Sequence, residues 1–135
     1  MTEFSRTITT AEISKLNSAI QPNTGTFTAA VIEKMSAIAA SDINCNLGGL
    51  FTKTITANTT FTVSNPASSG SVTSFILELT NGGAFVVTWW SGMTWAGGIP
   101  PSLTVSGVDL LGFVTHDGGT IWRGLVLGSD IKAPV

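Results

Sequence analysis

Charged side chains are scarce in this sequence of 135 residues, where they make up 10% of the chain and leave a formal net charge of −2. An average soluble domain carries about 25% charged residues. Because the chain is also 43% hydrophobic, we expect partner subunits to cover much of its surface. The six basic residues are scattered along the chain, so the sequence has no basic stripe of the kind that binds nucleic acid.

Long apolar runs are missing as well. The longest uncharged stretch, residues 79–108, is interrupted by Asn81, Gly82 and Pro100, among others. It therefore contains no run of about 20 apolar residues that could span a membrane. The N-terminus has no apolar signal region behind a basic start. We therefore expect synthesis in a cytoplasm and no membrane partner.

Side chains suited to catalysis are few, since the sequence has one Cys, one His and no Tyr. His116 and Asp117 form the most enzyme-like pair, but Asp117 opens an Asp-Gly-Gly turn and neighbouring strand residues face opposite ways. Cys45 alone excludes an intrachain disulfide. One His and one Cys do not make a zinc site, although a threefold axis could bring three copies of His116 together. The paired glycines lack the Lys-Ser/Thr of a phosphate loop. The sequence thus predicts a non-enzymatic protein without metal or cofactor.

The first 46 residues show helical spacing and are predicted to form a docking arm. Thr9 and Glu12 fit a capping box, and Pro22 ends the first helical run. A second helical stretch is predicted from about Thr28. Isolated helices this short are marginal in water, so each must dock on something. The apolar positions that we expect to contact partners are Ile13, Leu16 and Ile20 in the first helix and Val31, Met35 and Ile38 in the second.

Residues 47–135 alternate with a period of two, which is typical of β-strands. One example is Phe75, Leu77 and Leu79 on one predicted face. Short strands rich in Thr, Val, Ile and aromatics are separated by turns such as Asn81-Gly82-Gly83 and Asp117-Gly118-Gly119, which suit tight hairpins. The predicted fold class is mainly β, an antiparallel β-sandwich, possibly a jelly roll, preceded by the short helical arm.

Four tryptophans leave two interpretations open. Trp89 and Trp122 can fill the core while Trp90 or Trp95 contacts a partner subunit, because successive strand residues face opposite ways. Exposed tryptophans also stack on sugar rings, so a carbohydrate-binding face is the alternative. The segment from Trp89 to Gly98 has no charged residue, which disfavours a sugar site. Trp90 and Trp95 are therefore predicted to bind a partner.

The β segment from about residue 47 to residue 126 contains the motifs Trp95-Ala96-Gly97-Gly98 and Asp117-Gly118-Gly119-Thr120-Ile121-Trp122. With the rest of residues 50–56, 58–63, 77–83, 87–89, 95–98, 101–107 and 117–122, they resemble a domain that recurs in virion proteins of tailed bacteriophages. Family members often have Pro and Tyr where this chain has Ala96 and Arg123.

This resemblance implies a structural component of a virion, made in the host cytoplasm. It favours a capsid decoration or cement protein that acts as a homotrimer through contacts with other virion proteins. The alternative is a tail or fibre component, including a receptor module that binds a host-surface glycan. The resemblance implies no catalytic residues.

Overall fold

The structure, a computed structural model, describes residues 9–11 and 32–135. The chain divides into two compact units, Met1–Ile32 and Glu33–Val135. In the first unit, Thr10 and Ala11 have helical conformation. Most of the predicted arm, including Ile13, Leu16, Ile20 and Val31, lies outside the described residues.

The second unit is mainly β, as the sequence predicts. Its ten strands are short, except for three of eight to ten residues. They are β1 Met35–Ala37, β2 Asp42–Asn44, β3 Leu50–Thr54, β4 Thr59–Thr60, β5 Thr62–Ser64, β6 Thr73–Thr80, β7 Val87–Thr88, β8 Met93–Thr94, β9 Val108–Thr115 and β10 Trp122–Ile131. The 3-10 helices are Cys45–Leu47, Gly82–Ala84 and Ala96–Gly98.

Six strands form one mixed sheet in the order β1-β3-β6-β9-β10-β8, and two smaller ladders join β2 to β5 and β4 to β7. Within the part of the chain that the structure describes, five of the seven strand pairings are parallel. Only β6 with β9 and β9 with β10 are antiparallel. The chain therefore winds in successive parallel coils from β1 to β7. Strands β9 and β10 then extend the large sheet with antiparallel pairings.

This topology corrects the prediction of antiparallel hairpins throughout. The turn Asp117-Gly118-Gly119 does join the antiparallel strands β9 and β10, with Gly118 and Gly119 at φ of 73° and 87°. Asn65 and Asn81 also adopt positive φ, at 57° and 60°. These two residues, however, lie in connections between strands that pair in parallel with other parts of the chain. A turn residue shows where the chain bends and does not identify the strand that pairs next.

The second predicted helix is wrong at its C-terminal end. Met35 lies in β1, which pairs in parallel with β3 through Met35–Leu50 and Ala37–Thr52. Ile38 follows the strand, and its amide donates to the Thr52 carbonyl at 2.9 Å. Strand pairing with β3 outweighs the high helix propensity of the alanines in this segment.

The core lies against one face of the large sheet and is rich in aromatic rings. Phe113 is fully buried, and its ring centroid is 4.9 Å from that of Trp90 and 5.2 Å from that of Phe75. Trp122 packs 5.5 Å from Phe75. Such tilted and edge contacts add to the free energy of burying the rings. The largest fully buried side chains are Trp122, Phe51, Phe61, Phe113, Ile43, Ile55, Leu77, Leu79 and Leu111.

Candidate interaction surface

The face of the large sheet that points away from the core is also apolar. Side chains alternate along each strand, so the neighbours of buried Phe51, Leu77 and Phe113 point outward. In β10, Trp122 is buried, whereas Leu125 and Leu127 are 50% and 55% exposed. We call this surface the outer face. Glu78 lies on it, and its apolar members are Met35, Leu50, Ile76, Leu110, Val114, Leu125 and Leu127.

A single cross-strand row runs the width of this face. The row pairs Met35 with Leu50, Leu50 with Ile76, Ile76 with Gly112, and Gly112 with Leu125. Its two ends are therefore Met35 on β1 and Leu125 on β10. Directly opposed side chains of a sheet lie on the same face, so the row is a continuous apolar band.

The centre of the band is a shallow groove of about 270 Å³. Gly112 lies beneath the side chain of Leu127, because a Cβ at this position would lie 3.4 Å from the Cδ1 atom of Leu127. The side chain of Leu127 therefore lies across the backbone of β9. The groove is lined by Glu33, Ile76, Gly112, Val114, Leu125 and Leu127, among others.

Opposite charges stand at the two ends of the outer face. Glu33 lies two residues before Met35, and its carboxylate is so close to Gly49 that an added Cβ would be 2.5 Å from Oε2. Arg123 lies two residues before Leu125 and is exposed. Arg123 pairs with Val114, and Val114 pairs in turn with Ser74. The acidic end and the basic end are thus separated by the width of the sheet.

Strand β10 has an open edge beside this face. On one side β10 pairs with β9 from Arg123 to Ile131. On the other side β8 pairs only with Trp122 and Arg123. Among residues 32–135, the remaining backbone groups of that edge have no strand neighbour. An apolar edge strand with unpaired amides and carbonyls is a template for another strand.

A second apolar groove, of about 390 Å³, lies beside the open edge and is lined by Trp95, Ile99, Pro101 and Val126, among others. The Trp95 ring lies directly over Gly124, where an added Cβ would overlap the ring. Trp95 also contacts the core through Trp89 at 5.3 Å and Phe113 at 5.8 Å. It is half-buried and forms one wall of this groove.

Of the predicted partner-binding residues that the structure describes, some are exposed and others are buried. Met35 is 60% exposed at the end of the outer face, but Ile38 is a buried core residue. Trp90 is also buried, so it is not available as a contact or a sugar platform. Trp89 and Trp90 do not lie in a strand and do not point to opposite faces. Both rings contact Phe113, at 5.6 and 4.9 Å.

The exposure of Leu125 and Leu127 on the outer face was not predicted from the sequence. The alternation of residues along β10 contained the information needed to predict it. Trp122 and Gly124 share one face of β10, and Arg123, Leu125 and Leu127 share the other. Since the large aromatic side chain identifies the core face, the two leucines had to point away from the core.

The residues considered for chemistry have structural roles or stand alone. The Asp117 carboxylate accepts from Thr115 Oγ1 at 2.9 Å and from the Ile121 amide at 3.0 Å, which lowers its pKa. It therefore organises the hairpin turn, and His116 beside it is exposed. Burial, with the nearby charge of Asp42, raises the pKa of the Cys45 thiol to about 11. This thiol is a poor nucleophile near neutral pH.

Within the described residues, no group of three or more His, Cys, Asp or Glu side chains converges as a metal site would require. In the same part of the chain, no helix is long and apolar enough to cross a membrane. The outer face and the open edge of β10 are therefore the features of this unit with the clearest capacity to bind something. No family model, curated protein or solved structure matches the chain.

Proposed function

We propose that this protein is a non-enzymatic structural component of a tailed-phage particle, a capsid decoration or cement protein that works as a homotrimer. The observation that supports the proposal best is the apolar outer face with its open strand edge. Glu33 and Arg123 lie at the ends of that face, and Glu78 on β6 is the charged side chain next to the apolar band. Exposed apolar surfaces of this kind mark sites at which a partner binds.

Passive contact supplies the binding energy in this proposal. Fully burying one large apolar side chain contributes about 1.5–3 kcal/mol. Met35, Leu125 and Leu127 are each about half exposed, so completing the burial of each would contribute roughly half of that free energy. The proposal also includes a helical arm within residues 1–46, which would add Ile13, Leu16 and Ile20, and a sandwich arrangement of the β unit. Many such contacts on a symmetric particle then give tight attachment without a catalysed reaction.

The direct test is to look for the protein in particles. Phage particles purified from a host that makes this chain should contain it in a fixed ratio to the major capsid protein, as measured by quantitative mass spectrometry. Particles made without it should be less resistant to heat. Absence of the protein from purified particles would contradict the proposal.

A tail or fibre component that binds a host-surface glycan is the second candidate. The groove beside Trp95 favours it, because an aromatic wall next to Ile99 and Pro101 can stack on a sugar ring. Burial of Trp90 leaves Trp95 as the only one of the two predicted platforms for such stacking. A glycan array probed with the wild type and with Trp95→Ala tests this role. If the wild type binds no glycan, the role is excluded.

A further inference from the structure

The outer face consists of three rows of side chains that run across the strands, and the central row differs from the two beside it. The central row crosses five strands and contains Met35, Leu50, Ile76, Gly112 and Leu125. One flanking row contains Ser74, Val114 and Arg123. The other flanking row contains Ala37, Thr52, Glu78 and Leu110. Each flanking row thus contains a charged residue, and the central row contains none.

We infer that the central row lies along a threefold axis, so that the outer faces of three copies of this chain surround that axis. The outer face of each copy is then covered by the same face of two further copies. This inference rests on the proposed function for the number of copies, whereas the direction of the axis follows from the residues of the three rows.

A symmetry axis restricts which residues can lie beside it. Every residue next to the axis meets its own copies, so a charged residue there would face like charges at short range, which is unfavourable. The central row meets this condition on all five strands. A twofold axis parallel to the strands at Ile76 does not, because Glu78 follows on the same face of β6 and would meet its own copy. The distribution of charge therefore favours an axis along the row.

The two flanking rows complement each other between copies. With three copies around the central row, the row of Ser74 in one copy faces the row of Glu78 in the next, strand for strand. On β6, the Ser74 hydroxyl then faces the Glu78 carboxylate, which gives a hydrogen-bond donor and an acceptor. On β9, Val114 faces Leu110, and both of these apolar side chains are partly exposed. The outer face is thus complementary to itself under this symmetry.

The central row supplies apolar side chains at each level of the axis. Met35 and Leu125, at its two ends, are 60% and 50% exposed, so assembly would remove further apolar surface from water. Gly112 has no side chain of its own, but the side chain of Leu127 lies over it, since an added Cβ would be 3.4 Å from Leu127 Cδ1. Leu127 therefore fills the level at which the row itself is empty.

Disulfide trapping in the full chain tests the axis. The variant carries Ser74→Cys and Glu78→Cys together with Cys45→Ser. Four residues along one strand span about 13 Å, and a disulfide requires Cα atoms within about 7 Å, so a bond between the two positions must join two copies. Three such bonds close a ring, and we expect covalent trimers under mild oxidation. Ser74→Cys alone with Cys45→Ser is the control and should give at least tenfold less cross-linked protein.

A charge placed on the central row provides a measurement that does not depend on cysteines. We expect Ile76→Glu to lower the trimeric fraction at least tenfold, because it brings three like charges to the axis. Ile76→Gln has a similar size and no charge, and should lower that fraction only about threefold. Val86→Glu adds the same charge at a site that is 63% exposed outside the outer face, and should leave the fraction unchanged. Light scattering measures the fraction, and circular dichroism checks that every variant is folded.

Several outcomes would overturn the threefold axis. Covalent dimers without trimers would show a twofold contact, and absence of cross-linking would show that the flanking rows do not meet. Equal losses from Ile76→Glu and Ile76→Gln in folded protein would show that position 76 is not beside an axis.

These outcomes are distinct from failure of the proposed function. A protein that is present in purified particles but gives no covalent trimer would keep its structural role and lose this axis. A protein that forms covalent trimers but is absent from particles would do the reverse.

Discussion

Asp109 is a buried carboxylate that connects two distant parts of the chain. Its side chain is 1% exposed and accepts from the Thr104 amide at 2.7 Å, from Thr104 Oγ1 at 2.6 Å and from the Asp130 amide at 3.0 Å. Burial acts to raise the pKa of this carboxyl group, but the three hydrogen bonds together lower it below its usual 3.8. Asp109 thereby fixes the loop before β9 to the end of β10.

We expect Asp109→Asn to lower the free energy of unfolding by about 1–3 kcal/mol at pH 7, because the amide nitrogen cannot accept and leaves a buried donor unpaired. Since the folded-state pKa lies below the unfolded value, the carboxylate stabilises the fold above about pH 4. This stabilisation is lost as the pH falls through the folded-state pKa. The difference between wild type and variant should therefore shrink in acid.

Urea unfolding at pH 7 and at successively lower pH values measures this effect. Asp42→Asn is the control, because Asp42 accepts from Thr62 Oγ1 and Ser64 Oγ at an exposed site where hydrogen bonds contribute less. A gap between Asp109→Asn and wild type that stays constant into acid would contradict the assigned role.

At the scale of single elements, Gly124 of β10 lies directly against the ring of Trp95. The Trp95 ring occupies the space that any side chain at position 124 would need. We expect Gly124→Ala to lower the free energy of unfolding by about 1–3 kcal/mol, as overpacking does. Gly128→Ala on the same strand is the control, since its Cβ would meet only the flexible end of Ile131 at 3.0 Å. Chemical denaturation of both variants measures the difference, and equal losses would argue against the Trp95 contact.

Strand β1 is held at the sheet edge by more than its three residues. Lys53 Nζ donates to the carbonyls of Ile38, Ala39 and Ala40, at 3.2, 3.0 and 2.5 Å. This ammonium group binds the turn that follows β1 to the top of β3. We expect Lys53→Met to lower the free energy of unfolding by about 1–2 kcal/mol.

The loss should be local to this edge. Hydrogen exchange should speed up at residues 35–40 and remain unchanged in β9, because the hydrogen bonds within β9 do not involve Lys53. Lys34→Met serves as the charge-matched control. Uniform acceleration across the sheet would show that Lys53 supports the whole fold and not the edge.

The elements themselves were predictable where period-two alternation was clear. Phe75, Leu77 and Leu79 face the core from β6 as the alternation predicts. The helix assigned around Met35 and Ile38 failed for a physical reason. Residues at i and i+3 match a helical face, but over three or four residues the same spacing does not exclude a strand. Here the segment forms a strand because it pairs with β3.

At the scale of the whole molecule, the strand pairing could not be predicted from the sequence. The offset between paired residues grows from one coil to the next: Met35 pairs with Leu50, whereas Leu50 pairs with Ile76. Unequal coils leave no fixed period, so parallel winding produces no visible repeat. The outer face was hidden for a related reason. Its members come from five strands, and only the pairing brings them together in one row.

The low charge of the sequence did predict the character of the surface. The exposed residues of β10 include Leu125, Val126, Leu127 and Ile131, in a strand where an isolated domain would carry polar side chains. Assembly would explain this composition, because the same residues would be surface in the isolated chain and interior in the proposed oligomer.

Solution mass by light scattering across a concentration series tests whether the protein assembles through its outer face. We expect a stable trimer for the wild type, and dissociation toward monomer when Leu125→Ser and Leu127→Ser are combined. Phe85→Ser, at an exposed apolar site outside the outer face, should leave the mass unchanged. A wild-type protein that stays monomeric at every concentration would rule out the proposed homotrimer.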